Sequence, residues 1–440
     1  IIAGDDGMYF DDIEYLGHYM YGNSLAVFGD LQFNNNWIEA DDYGMYFDDG
    51  FYEIAYYLYG NARVEFGNYE VNDNHIYADD GYGIYWYSYY VGEDLYDYSS
   101  FSMGNIEFQR NWIDYAYYDG LCLYFYYYAY DFNGAGVMWE MGDILINHNT
   151  VNYTEDYGIY AYFNELSYYN YGGTSIFGDI SLQHNNILYA EDDGIYVYMN
   201  YFGYELYEGH NLFMGDILIN NNFINTTNGD DGIYLDIYGW GYDIYDNSYM
   251  QVGNIEVCNN IIYSDGYGIY WEYFEYIGYE MYDSTFIMGD ILINNNWIES
   301  EDYGISLYYW CEVAYYMYGN SYMQMGNIEF NDNTIYSYYE GIYFYYLIDW
   351  GYYMYDYAQF HLGNFEIQRN YINSSNDDGI YFCCLYYWAA DMYDQSQFTM
   401  GDWLINDNTI IADDNGIYFD PYYFGREMYG SSVATFGRNE

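Results

Sequence analysis

The chain has no lysine, five arginines, one proline and five cysteines among 440 residues. So little positive charge excludes the basic surface that nucleic acid and anionic membranes require. Pro421 is the only proline, so no proline-rich hinge marks a domain boundary. Cys122, Cys258, Cys311, Cys383 and Cys384 follow no repeat and no zinc spacing. They read as small apolar fillers or free thiols, with the adjacent Cys383 and Cys384 on opposite faces of a strand. No stretch approaches the ~20 apolar residues of a membrane span. Ile1 does not open a signal peptide, so the chain reads as a mature or excerpted piece.

What is present is acidic, aromatic and repetitive. Asp and Glu number 69, giving a formal charge of −64. Such charge opposes compaction unless cations or salt screen it, which predicts a medium rich in either. About half of the residues are apolar, which argues against disorder.

One asparagine recurs every 36 to 38 residues: Asn36, Asn74, Asn111, Asn149, Asn185, Asn222, Asn260, Asn296, Asn333, Asn370 and Asn408. Each sits in a frame G-[DN]-x-x-[ILVF]-x-x-N-x-[IV], as in GDILINNNWI (289–298), and a glycine, an apolar residue and usually tyrosine follow. A fixed period with fixed Asn and Gly positions is the mark of a solenoid. Within a repeat, apolar residues alternate with period two, and Tyr, Ile, Phe and Val dominate. Three short strands per coil are expected, beginning near G-[DN]-I, near G-I-Y and near Y-x-M-Y. The fold expected is an all-β parallel β-solenoid over residues 1–440, one domain of about twelve coils with uncapped ends. At an interstrand spacing of ~4.8 Å it would be a rod roughly 55–60 Å long.

The motif I-x-I-x-x-N-x-I…G-I-Y, seen in ILINNNWIESEDYGIS (291–306) and ILINHNTVNYTEDYGIY (144–160), resembles the right-handed parallel β-helix superfamily, the pectate-lyase-like fold. The resemblance covers almost the whole chain. It implies the fold rather than one activity, because enzymes, adhesins, phage tailspikes and surface proteins share it.

Three ladders follow from the register. The asparagines suit a left-handed corner after a strand and can bond amide to amide between coils. Outward tyrosines form the second ladder: Tyr9, Tyr46, Tyr85, Tyr160, Tyr196, Tyr234, Tyr270, Tyr343, Tyr381 and Tyr418, broken by Cys122 and Ser306. A further column includes Tyr21, Tyr59, Tyr96, Tyr207, Tyr245, Tyr318, Tyr355, Tyr393 and Tyr429. Stacked rings favour strands, and an exposed aromatic strip marks a contact face. The third ladder is acidic: Asp5 and Asp6, Asp41 and Asp42, Asp79 and Asp80, Glu155 and Asp156, Asp192 and Asp193, Asp230 and Asp231, Glu301 and Asp302, Asp377 and Asp378, Asp413 and Asp414. These read as a solvated ridge or as ligands for bridging cations such as calcium. Repeats that open G-N carry glutamate two residues on (Glu70, Glu107, Glu256, Glu329, Glu366), and those that open G-D do not. One carboxylate per coil limits repulsion along that face, or marks one cation site per coil.

Lyases of the resembling superfamily use calcium on acidic ligands and an arginine or lysine base. Here lysine is absent, and Arg110 and Arg369 share a column seven coils apart. His148 and His184 share a column in adjacent coils, the placement a metal pair would need. No coil carries a unique loop, which favours a scaffold over an enzyme. IIAGDDGMYFD (1–11) aligns with IIADDNGIYFD (410–420), so the first and last coils are both partial, FGRNE (436–440) closing the chain. The reading is an extracellular structural protein. It would stack head to tail into a filament, sheath or surface layer, with tyrosine and carboxylate ladders for lateral contact. A carbohydrate-binding or carbohydrate-cleaving β-helix is the second reading.

Overall fold

In the computed structural model, residues 1–11, 13–226 and 230–438 are described. They form the expected all-β parallel solenoid of about twelve coils. Each full coil uses up to five strand positions rather than three. In the coil that opens at Gly289 these are Ile291–Leu292, Trp297–Ser300, Ile305–Val313, Tyr316–Tyr318 and Tyr322–Met325. Stacked along the rod they make sheets 1 to 5, with 11, 12, 12, 9 and 12 strands, every pair parallel. The expected positions are sheets 1, 3 and 4. Sheets 2 and 5 escape a reading of the sequence because only a short corner or turn divides each from the strand before it. Left-handed Asn295 (φ 58°) turns sheet 1 into sheet 2, and Gly319 (φ 66°) turns sheet 4 toward sheet 5.

Strand alternation sorts the side chains. In Trp297–Ser300, Trp297 and Glu299 face outward while Ile298 and Ser300 are buried. The isoleucine two residues after each ladder asparagine (valine in one coil) is buried in every interior coil, from Ile76 to Ile372. Seven tryptophans, Trp86 to Trp388, are also fully buried, so the core is aromatic as well as aliphatic. The glycine of the G-I-Y turn is dictated by contact. A Cβ on Gly232 would lie 2.1 Å from Ile262 Cγ2 and 2.6 Å from the Gly268 carbonyl oxygen.

The nine interior ladder asparagines, Asn74 to Asn370, are buried, and each is satisfied by its neighbours; Asn36 and Asn408 at the ends are half-buried. Asn222 Nδ2 donates to Asn260 Oδ1 (3.0 Å) and to the Leu182 carbonyl (2.9 Å). Its Oδ1 accepts from the backbone N–H (2.9 Å) and Nδ2 (3.1 Å) of Asn185. The same pattern repeats from Asn74 to Asn370. The left-handed residue is not the ladder asparagine, as expected from its chemistry, but the one before it: Asn35, Asp73, Arg110, His148, His184, Asn221, Asn259, Asn295, Asp332, Arg369 and Asp407 all have φ between 56° and 62°. The ladder residue is free to turn inward because its predecessor makes the corner.

All five cysteines are free thiols, three of them buried. Cys383 and Cys384 do not face opposite ways. Cys384 has φ 53°, which breaks the alternation and brings the two sulfurs to 2.8 Å.

Asn222→Ala strips partners from Asn185, Asn260 and the Leu182 carbonyl at once. It should lower stability by about 3 kcal/mol or more. Asn221→Gly, at the left-handed corner, should change it by less than about 1 kcal/mol. Urea unfolding followed by tyrosine and tryptophan fluorescence measures both.

Candidate functional site

Sheets 3 and 4 and the corner between them carry the three long tyrosine runs; a shorter stack, Tyr77, Tyr115, Tyr153 and Tyr189, lies along sheet 2. The first ladder is more continuous than the sequence suggested. Tyr9, Tyr46 and Tyr85 stack, Tyr124 fills the gap left by Cys122, and Tyr160, Tyr196, Tyr234 and Tyr270 continue. Tyr308 and Tyr345 bridge the gap at Ser306 to Tyr343, Tyr381 and Tyr418. Ring centroids are 4.4 to 6.3 Å apart along this run, a spacing at which rings attract. The interior members are half-buried against one another, and only Tyr9 and Tyr418 are exposed. Burial first, then the charge of Asp48, pushes the Tyr46 phenol up to about 12.

The second column gains Tyr171 and Tyr282 and runs unbroken from Tyr171 to Tyr429 at 4.7 to 5.9 Å. Its lower part, Tyr21, Tyr59 and Tyr96, is separated from it by Asn133. A third run was not legible in the sequence because its members shift position between repeats. It passes from Tyr15 through Tyr90, Tyr127, Tyr168, Tyr242 and Tyr315 to Tyr423.

The carboxylate ladder divides in two. Asp5, Asp41, Asp79, Asp80, Asp230, Glu301, Asp413 and Asp414 are exposed; Asp6, Asp42, Glu155, Asp156, Asp192, Asp302 and Asp377 are half-buried. Asp193, Asp231 and Asp378 are buried. The buried members accept backbone N–H groups of the next coil: Asp193 from Asp231 (2.8 Å), Asp231 from Tyr267 (2.8 Å) and Asp378 from Asn415 (2.6 Å). Asp119 does the same for Tyr157 in a repeat that lacks an acidic pair, so a search for pairs missed it. A solvated ridge therefore describes only the outer row. Burial pushes Asp119 and Asp193 up to about 7; burial and the neighbouring Asp193 push Asp231 up to about 8.

Metal-holding geometry is local rather than repeated. Among the described residues, two groups of three carboxylates have ligand oxygens within 4.8 Å of one another: Asp5, Asp6 and Asp42, and Asp377, Asp378 and Asp414. The glutamates of sheet 1 each sit among side-chain amides. Glu329 accepts from the amides of Asn294, Asn327 and Asn331 at 3.1 to 3.4 Å, and Glu366 from Asn364 and Gln368. In these two coils the opening asparagine itself donates to the glutamate, which an aspartate could not do; Glu70, Glu107 and Glu256 accept instead from Asn34, from Asn72 and Gln109, and from Asn220. The opening Asp or Asn has a second task, because its Oδ1 accepts the backbone N–H of its counterpart one coil on, from Asn68 on Asp30 to Arg438 on Asp402.

The few cations are engaged. Arg110 forks onto Asp73 (2.8 and 2.9 Å) and Arg369 onto Asp332 (2.9 and 2.7 Å), each one coil back. His148 and His184 stack at 4.8 Å and join no three-ligand group among the described residues. His210 lies 3.2 Å from Ser175 Oγ, but it is fully buried, and burial lowers its pKa to about 4. A substrate has no path to that pair. Beside sheet 2 a polar groove of about 840 Å³ crosses five coils, lined by Asn225, Tyr263, Glu299, Tyr336, Tyr338 and Asn373 among others.

Burial raises ten carboxyls to between about 6 and 8: Glu93, Asp119, Asp192, Asp193, Asp231, Asp236, Asp243, Glu312, Glu340 and Asp349. Unfolding returns them to the usual carboxylate range. Between about pH 4 and 8 the folded chain therefore binds more protons, and stability falls as pH rises. The melting midpoint should be higher at about pH 5.5 than at pH 8.5, by about 5 °C or more. Thermal unfolding followed by circular dichroism at both values checks the sign.

Comparison with protein-family models, curated proteins and solved structures finds no match.

Proposed function

We propose that the chain is a rigid structural rod of an extracellular or cell-surface material, a parallel β-helix of the right-handed kind. In this reading it packs sideways through its tyrosine flank. The observation that carries it is the set of three tyrosine runs along sheets 3 and 4, two of them spanning the full length of the rod. Tyrosine brings large contact area at low entropic cost and tolerates both a wet and a dry neighbour. Exposed rings such as Tyr98, Tyr171, Tyr282 and Tyr357 offer the points of contact.

The register of the coils supports growth along the axis as well. The asparagine, opening Asp/Asn and core columns keep one register from coil to coil. A further coil supplied by another copy would continue them, a heterologous contact that extends without closing. The outer carboxylates oppose both kinds of contact unless cations bridge them, and calcium suits their oxygen ligands.

Purified chain in millimolar calcium should form filaments or side-by-side bundles under negative stain. Tyr171→Ser with Tyr282→Ser should reduce bundling at least several-fold and leave the melting midpoint nearly unchanged. Single short rods at all calcium concentrations would contradict the proposal.

The groove beside sheet 2 favours a second reading, a carbohydrate-binding β-helix. It combines tyrosine faces with amide and carboxylate groups over five coils, the chemistry that grips a sugar chain. A glycan array should then show binding that Tyr336→Ala weakens at least tenfold. An array without signal would remove this reading.

A further inference from the structure

One column on the outer face of sheet 3 breaks its own rule. Strand register aligns Tyr87, Tyr124, Tyr162, Tyr198, Asp236, Tyr273, Tyr309 and Tyr346 in successive coils. Seven members are tyrosines and the fifth is aspartate. On either side the rings stack, Tyr162 on Tyr198 at 4.6 Å and Tyr273 on Tyr309 at 5.3 Å. At Asp236 a ring is missing, and a recess of about 340 Å³ takes its place, lined by Tyr198, Asn200, Tyr201, Asp236, Tyr238 and Tyr273.

Two buried acceptor oxygens of the recess have no hydrogen-bond partner. Asp236 is only 6% exposed, yet its Oδ1 has no hydrogen-bond partner. A buried carboxyl oxygen left in this state costs free energy that a bound donor would recover. Asn200 commits its Nδ2 to Asn164 Oδ1 (3.1 Å), and its own Oδ1 is buried and unpartnered. The nearby glutamates are not in the same position. Tyr234 donates its hydroxyl to Glu272, and Glu275 is bonded by Cys311 and Tyr276. Four tyrosines, a buried carboxylate and an amide oxygen make a cage with negative ring faces and two empty acceptors.

We propose that this recess binds an organic cation that carries N–H donors, an alkylammonium or guanidinium group, seated between Tyr198 and Tyr273 and hydrogen-bonded to Asp236. The N–H requirement comes from the two unpartnered oxygens; a quaternary ammonium would fill the cage but satisfy neither. A metal ion fits less well. Asp236 belongs to neither of the tight three-carboxylate groups found among the described residues, and aromatic walls supply no ligand oxygens of the kind calcium takes. Burial, then Glu272 and Glu275, push the empty Asp236 carboxyl up to about 8, and a seated cation would return it to the ionised form. The site is independent of filament formation. It requires only the coils around residues 198–273.

The test uses the whole chain and defined probes: 1-butylguanidine, butylamine, tetramethylammonium, calcium chloride and an acetyl-Gly-Arg-Gly amide peptide. Isothermal titration at roughly physiological salt suppresses diffuse binding to the acidic surface. The expected result is one saturable site for butylguanidine or butylamine, with tetramethylammonium at least tenfold weaker. Binding of the peptide as well would show that an arginine side chain on a partner can fill the cage; its failure would restrict the ligand to small free cations. Asp236→Tyr restores the column and should abolish the site while preserving the melting midpoint, and Asp236→Asn should weaken binding at least tenfold. The proposal falls if no saturable site is found, if calcium alone occupies it, or if both variants bind like the parent chain.

Discussion

The structure depends on one condition: buried polar groups in each coil find their partners only in the coils beside it. Asn222 satisfies Asn185 and is satisfied by Asn260, and neither bond exists in an isolated repeat. The amide column runs beside the buried isoleucines, away from water. An unmatched member would bear the full cost of desolvation. Adding a coil completes the amides of the previous one and leaves new ones open. The solenoid is therefore stable as a stack and not as units, which is the energetics expected of repeat architectures.

The same spacing makes charge the main opposing force. Like carboxylates at coil distance repel by about 1 kcal/mol each even at the dielectric of water. The chain limits this in four ways. Opening aspartates and asparagines turn their Oδ1 onto backbone N–H groups of the next coil. Glutamates of sheet 1 sit among side-chain amides. Arg110 and Arg369 each fork onto an aspartate one coil away. Inner carboxyls such as Asp193 and Asp231 hold their protons toward neutrality. What is left is the outer row, Asp41, Asp79, Asp230 and their equivalents, which faces solvent. Any cation or partner at this ridge meets that row first.

Much of this was legible in the sequence because period and strand alternation are exact consequences of stacking. The asparagine column, the G-I-Y turn and the first tyrosine ladder all lie where the register puts them. Features that depend on corners were harder to read. The left-handed residue before each ladder asparagine is chemically varied, Asp, His or Arg as readily as Asn, so composition does not reveal it. Sheets 2 and 5 merge with their neighbours in the sequence for the same reason. Tyr124 and Tyr308 repair gaps in a column that is not their own, which only three dimensions show. The buried carboxyls Asp119, Asp193, Asp231 and Asp378 all stand directly before the turn glycine, where each accepts a backbone N–H of the next coil; pairing acidic residues by type hid that position. Asp236 was passed over because one aspartate among 69 acidic residues carries no signal until its neighbours in register are seen to be tyrosines.

The central claim is that nine interior asparagines, Asn74 to Asn370, have side-chain amides sealed from water by adjacent coils. Hydrogen exchange of asparagine side-chain amides, followed by NMR on chain labelled at asparagine, measures this directly. The account predicts nine slowly exchanging Nδ2 groups, protected to the level of the most stable backbone amides, while exposed Asn186 exchanges freely. Uniformly fast exchange across all asparagines would contradict it.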